Sequence, residues 1–466
     1  VSDSKHMFRR YFENIYKIAL GATFGLNIFS VFGINCNSTY TLNLQINVNI
    51  ESLMIKLCLS VFIVLNICSA SIQAMSDTEL KSVVEKRLLG DRTNACFAVA
   101  VIEKTVARAY VCADPTQLSR ISPVSAFEIG SVTKTMTAAL LADLILQGKA
   151  SLDDPLSNYV PKGVSVPSFE GKPILLKHIV THTSGLPVVP DFSTAKSKEN
   201  PYAQIDEASV FKTLSTSQLT RAPGSQYEYS NYAMMLLSAV IARRTATDFE
   251  TLMRTRLFAP TGMDGAFINQ KPGNINLVQG HTPNGKPTLA WTFQTNVSGV
   301  GGVKATLEDM VRYLQAELGH DSSISPALRL TQQPVKTASP VPMAMNWILA
   351  PLDDRRVYVH EGGTGGFSAF AAFDLKTQRA VIVLSDTALT TIGGLGTLGN
   401  HLLDARLPLG KPRKAAVPDA ALLAQITGDY EMLPGLDVKL TTVNGKLFAQ
   451  ATGQANYEMG YDSAGD

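Results

Sequence analysis

An α+β sandwich, with one antiparallel sheet flanked by helices beside a mainly helical lobe, is the fold this 466-residue sequence predicts. Three observations carry it. Two β-rich segments lie early, in ACFAVAVIEKTVARAYVC (95–112), and turn near Lys104. More β segments come late, at Val357–His360, Phe367–Phe373 and Ala380–Leu384, separated by a glycine run and the polar turn DLKTQR. The middle holds helix-forming stretches. Pairing early strands with late ones in one sheet leaves that middle to fold as the helical lobe.

Taken in order, Glu79 to Leu89 reads as a helix ahead of the early strand pair. Val132 to Gln147 is apolar nearly all round and stops at Gly148, as a buried helix does. Tyr232 to Arg244 is a further helix, and Thr306 to Leu318 is another with a more amphipathic pattern. Stretches such as DDPLSNYVPKG and THTSGLPVVPD are loops rich in turn formers. A cleft between sheet and helical lobe is the expected place for chemistry. Residues 75–410 are therefore taken as the catalytic domain. From Gly410 the character changes to a linker-like GKPRKAAVPDA. Beyond it Leu436–Thr442, Asn444-Gly445 and Lys446–Ala449 spell a β-hairpin with a favoured turn. Residues 411–466 read as this linker plus a β-rich accessory domain cut short before it can close a barrel.

Composition narrows the function. Hydrophobic residues at 45% and charged residues at 17% describe a globular chain. A formal charge of +2 with no run of five or six basic residues lacks the footprint of a nucleic-acid binder. Residues 54–74 have the order of a secretory signal: Lys56, the apolar run Leu57–Ala70, then small residues ending at Ala74. Two readings remain open for residues 1–53. They are sequence in front of a true start at Met54, or a real leader whose apolar stretch 18–34 associates with a membrane. The expected location is periplasmic or secreted. Of five cysteines, Cys96 and Cys112 follow the presumed cut. They are equidistant from Lys104, so a tight hairpin sets them opposite each other, as a cross-strand disulfide or as two buried thiols.

Three places carry candidate chemistry. Ser131 and Lys134, in FEIGSVTKTMTAALLADLI, are three apart at a helix start and so share a face. A serine hydroxyl needs a neighbour to take its proton. Burial in an apolar helix is what lowers a lysine pKa enough to do it. Ser131 also offers a backbone N–H at a helix start to a developing oxyanion. The plainer reading is a capping serine and a snorkelling lysine. Next, Tyr229-Ser230-Asn231 precedes a helix; Tyr229 is placed to shuttle a proton, and Asn231 to bind a substrate amide while orienting Lys134. The plainer reading is an aromatic anchor with Asn231 as helix cap. Last, His360-Glu361-Gly362-Gly363 leaves a strand. Gly362 and Gly363 permit close approach of substrate, the Gly363 N–H is the second oxyanion donor, and His360 gives a hydrogen bond or positive charge to a carboxylate or leaving group. The plainer reading is a glycine turn with a surface histidine.

Together and in this order, SVTK, YSN and HEG resemble the three motifs of the serine β-lactamase and penicillin-binding protein superfamily. HTSGLP (182–187), LFAPTGM (257–263) and GVGGVKATLEDM (299–310) resemble its linking segments, over roughly residues 79–405. The tail resembles the small β domain appended to some of these hydrolases. The resemblance implies a β-lactamase/transpeptidase-like fold and a covalent acyl-enzyme. Ser131 is then the nucleophile, Lys134 and Tyr229 the proton-transfer pair, and Asn231 the positioner. Ser131 and Gly363 form the oxyanion hole, and His360 stands in the place of the third-motif lysine. Thr133 replaces the usual Ser or Ala; His360 in place of Lys is the larger departure, since a neutral imidazole holds a carboxylate more weakly than an ammonium.

The implied partner is a small-molecule or short-peptide acyl substrate. A β-lactam, as in class C β-lactamases, is the first expectation. D-alanyl or other D-amino-acid peptides, simple carboxylic esters, and a non-catalytic penicillin-binding role are the alternatives. No cofactor or metal is implied, because HExxH is absent and the seven histidines show no ligand spacing. His178 and His182, four apart, are assigned a structural role.

Overall fold

The computed structural model describes residues 74–191, 197, 199–411, 415–433, 436–451, 456–459 and 461–462. The upstream segment and almost all of the signal-like segment lie outside these. Among the described residues no helix is long and apolar enough to cross a membrane.

The main sheet draws on both ends of the globular region. Helix α1 (Asp77–Leu88) is followed by β1 (Cys96–Ile102) and β2 (Val106–Cys112). Strand β3 (Ser125–Glu128) leads into helix α2 (Thr133–Leu146), with α3 (Asn231–Thr245) beyond it. After β4 (Lys304–Thr306) and α4 (Leu307–Glu317) come β5 (Ile348–Leu352), β6 (Arg355–Gly363), β7 (Ser368–Asp374), β8 (Arg379–Ser385) and α5 (Gly396–Leu403). The six-stranded order is β2-β1-β8-β7-β6-β5. Strand β1 runs antiparallel to β8, from Phe97 opposite Ser385 to Ile102 opposite Ala380. The expected joining of early and late strands is thus observed. Cys96 and Cys112 are directly opposed across the hairpin and joined as a disulfide.

All seven residues of β1 are buried because both faces of the sheet are covered. On one face Ala98, Ala100 and Ile102 meet Ala371, Phe373 and Ile382 under the helical lobe. On the other Phe97, Val99 and Val101 pack with Leu80, Val84 and Leu88 of α1 and Leu398 and Leu402 of α5. Helix ends follow local chemistry. Ser76 and Glu79 form a capping box on α1, as Thr306 and Asp309 do on α4. The caps explain why α1 begins at Asp77, two residues before the expected start. Helix α2 is buried all round from Thr133 to Ala142, surfaces in its last turn at Leu146, and stops before Gly148, whose φ is +67°.

The C-terminal region forms a separate antiparallel sheet in the order β9 (Gly428–Leu433), β10 (Leu436–Val443), β11 (Lys446–Ala451), β12 (Tyr457–Glu458). Asn444 and Gly445 have φ of 51° and 73°, the left-handed pair that a two-residue hairpin turn needs. A helix, Ala420–Ile426, capped by Asp419, precedes this sheet where no helix was expected. With Leu440 and Leu447, its Leu423 and Ile426 make a small apolar core.

Candidate active site

The site forms where the main sheet loses a strand. Strand β5 pairs with β6 only as far as Ile348 opposite Val359. The β6 edge from His360 to Gly363 is open beyond that point, and the turn Gly130–Val132, which carries Ser131, packs there. Glycine makes the approach feasible. Gly130 has φ +50°, and a β-carbon on it would lie 2.7 Å from Gly363 N and 2.9 Å from Gly363 O. A β-carbon on Gly362 would lie 2.0 Å from Ile129 O and 3.0 Å from Ser131 N. Gly362 is packed against the Ser131 turn, which is the contact that requires glycine there. Gly363 presents its peptide edge to Gly130, beside Ser131, which suits the expected pair of oxyanion donors.

Helix α2 carries Lys134 one turn past Ser131, fully buried. Its Nζ lies 2.8 Å from Ser131 Oγ and 2.7 Å from the carbonyl oxygen of Val300. Burial holds the amine well below the ordinary lysine range. The face of Tyr229 lies 4.9 Å from Nζ, measured to the ring centroid. Ser131, Lys134 and Tyr229 are therefore brought together.

Asn231 is close by, but not in the arrangement expected. Ser230 caps α3, accepting from the Ala233 N–H at 2.9 Å. The Asn231 amide nitrogen donates to Tyr202 Oη at 3.2 Å, and its Oδ1 is buried with no hydrogen-bond partner among the described residues. Orientation of Lys134 falls to Val300, not to Asn231. Tyr202 in turn stacks on Phe293 at 5.0 Å and lies 5.2 Å from Trp291, an aromatic wall on the Asn231 side.

His360 is buried, and its Nδ1 lies 2.8 Å from the Glu361 carbonyl oxygen. A carbonyl only accepts, so Nδ1 carries the ring proton and Nε2 keeps its lone pair. Burial, and then the nearby Lys134, push the imidazole pKa down to about 3. Of the hydrogen bond or positive charge expected of His360, the charge is therefore absent at neutral pH. Nor is it a surface residue.

Buried carboxylate chemistry backs the nucleophile turn. Glu128, at the end of β3, accepts from the Trp291 N–H at 2.6 Å, and burial raises its pKa. The Thr364 hydroxyl and the Lys304 ammonium beside it draw that pKa back down. Val300, Tyr202, Trp291 and Glu128 were not singled out from sequence. The segment GVGGVKATLEDM was noticed, yet a backbone acceptor has no residue type to betray it. His178 and His182 are both buried, and no metal-holding cluster occurs among the described residues.

The fold is shared with solved serine acyl hydrolases. It superposes on a β-lactamase/D-alanine carboxypeptidase of Yersinia pestis, solved with citrate, with a TM-score of 0.54 at 22% identity, covering 68% of this chain and 95% of that one. At that identity the likeness is one of fold. The chain belongs to the beta-lactamase family, whose profile matches residues 81–392. It is similar to the D-alanyl-D-alanine-carboxypeptidase/endopeptidase AmpH of Escherichia coli, with 30% identity over 329 residues, or 66% of this chain and 83% of that protein. It is also similar to a beta-lactamase of Escherichia coli, with 26% identity over 311 residues, or 59% and 78%. Family membership makes it a serine-hydrolase-type enzyme of the β-lactamase, D-alanine carboxypeptidase and penicillin-binding protein superfamily.

Proposed function

We propose that this enzyme cleaves D-alanyl peptides, as a carboxypeptidase or endopeptidase, through an acyl-enzyme on Ser131. The observation that carries it is the buried Lys134 amine 2.8 Å from Ser131 Oγ. A neutral amine has two N–H bonds and one lone pair. One N–H goes to the Val300 carbonyl, which leaves the lone pair to accept the Ser131 proton. Ser131 Oγ then attacks the substrate carbonyl, and the oxyanion is held by the N–H groups of Ser131 and Gly363. Tyr229 hands a proton to the departing amine. Water releases the acyl group with the Lys134–Tyr229 pair as base, the two titrating as a unit.

Two observations support a peptide. The unpartnered Asn231 Oδ1 is an acceptor suited to a substrate amide N–H, which a simple ester lacks. Against a β-lactam stands the resemblance to the E. coli carboxypeptidase/endopeptidase; the neutral His360 offers no fixed cation to either substrate's carboxylate and does not separate them. We assign residues 75–410 to the catalytic unit and 411–466 to a linker and accessory domain. The enzyme is assigned to the periplasm or the exterior, supported by the Cys96–Cys112 disulfide.

The test compares turnover of a D-Ala-D-Ala peptide, a cross-linked D-alanyl peptide, a cephalosporin and a p-nitrophenyl ester. Peptide turnover should be fastest, with the cephalosporin acylating Ser131 but leaving slowly. Fast cephalosporin turnover without peptide cleavage would return the assignment to β-lactamase. Ser131→Ala should abolish every activity; a fully active variant ends this mechanism.

A further inference from the structure

His182 has no part in the mechanism above, yet its imidazole is packed into the site. Three successive residues are held by it. Its carbonyl oxygen accepts from the Glu228 N–H at 2.7 Å, and its Nδ1 accepts from the Ser230 N–H at 3.2 Å. Between them, the Tyr229 ring lies 4.3 Å from the imidazole, centroid to centroid, tilted by 32°. Tyr227 meets the imidazole edge-on at 6.0 Å, centroid to centroid. The residue is fully buried with φ of 54°, a backbone that residues with a β-carbon seldom adopt.

With Nδ1 accepting, the ring proton sits on Nε2, which turns to the side chain of Asn346. A core histidine with satisfied hydrogen bonds is the plain alternative. It differs in what it expects of catalysis, because it gives the ring stacked beside Tyr229 no effect on that phenol. We propose that His182 is the positioning residue for Tyr229, holding the phenol ring over Lys134 through a three-point clamp on Glu228, Tyr229 and Ser230. This rests on the acyl-enzyme reading above.

The charged or titratable groups facing the imidazole are Lys134 from α2, His360 from β6, and Tyr227 and Tyr229 from the segment that leads into α3. Burial, then Lys134, then His360 keep the imidazole neutral. Its ring in turn keeps water from the space beside Tyr229 and Lys134. Two variants separate ring from hydrogen bond. H182N tolerates the left-handed backbone and retains an acceptor for Ser230, but removes the ring. H182F keeps a ring and removes the acceptor.

For a D-alanyl peptide, H182N should lose roughly 10- to 100-fold in kcat/KM, mostly in kcat. The acid limb of its pH profile should move to higher pH, as water beside Lys134 relieves the desolvation of its charged form. H182F should melt lower yet keep the wild-type acid limb. A purely structural role would lower both melting temperatures and leave both limbs in place. An unmoved limb in H182N overturns the proposal, as does an H182F limb displaced as far as that expected of H182N. A wild-type enzyme that a fluorescent penicillin fails to label at Ser131 overturns this proposal together with the acyl-enzyme reading. Labelled wild type with an indifferent H182N overturns the positioning role only.

Discussion

Lys134 and His360 lie in one buried pocket, each pushed toward its neutral form. For Lys134 the consequence is kinetic. Its neutral amine is the base, so kcat/KM should fall as pH drops through its lowered pKa, far below where an exposed lysine would set the limb. A pH–rate profile reads this directly, and an acid limb near the ordinary lysine value contradicts it. For His360 it is thermodynamic. An unfolded histidine takes a proton near 6.5, the folded one only near 3. Between those values the unfolded chain binds more protons, so this residue makes stability fall as pH goes from 6.5 toward 3. Urea unfolding at stepped pH should show a shallower acid loss in His360→Gln than in the wild type. The Ser131–Lys134 pair was legible because a spacing of three fixes a shared helical face. A neutral His360 was legible too, but its burial and the extent of its pKa drop were not, since they depend on distant segments packed over it.

Among the elements, the contact of strand β6 with the Ser131 turn is the most sensitive to substitution. Gly362→Ala places a methyl 2.0 Å from Ile129 O, so strand and turn must part. Activity should fall at least 100-fold and the melting temperature should drop. An active, stable G362A would show that the two can separate without harm. Helix α4 carries a second device, Glu317, buried and pushed up to about 7 by desolvation. Its Oε2 accepts from Gln332 Nε2 at 2.7 Å. Here the folded state binds more protons between 4.5 and 7, so stability is lost as pH rises through that window. Glu317→Gln should therefore be more stable than wild type at pH 8, by chemical denaturation, with the difference shrinking toward pH 4.5. The principal helices were legible from their apolar patterns. Ends were read less well: Ser76 and Thr306 act through caps just outside the apolar run. Short β3 and β4 were missed because strands of four and three residues leave no periodic trace.

At the scale of the molecule, the union of early and late strands was readable, because neither group alone makes a sheet with two covered faces. The disulfide register followed from hairpin symmetry about Lys104. That bridge closes a span of 16 residues and should contribute up to about 3 kcal/mol. Thermal unfolding with and without reductant measures it. A Cys96→Ala/Cys112→Ala variant should not respond to reductant, and an equally unresponsive wild type would mean that the bridge adds nothing. The pairing of Phe97 with Ser385 also sets an order of events during synthesis. A ribosome adding about 5–20 residues per second delivers β8 tens of seconds after β1. Throughout that delay the nascent hairpin shows a bare, apolar edge to whatever is near. The completed enzyme hides this vulnerability, so holdase dependence and aggregation yield should be governed by how quickly the last strands arrive.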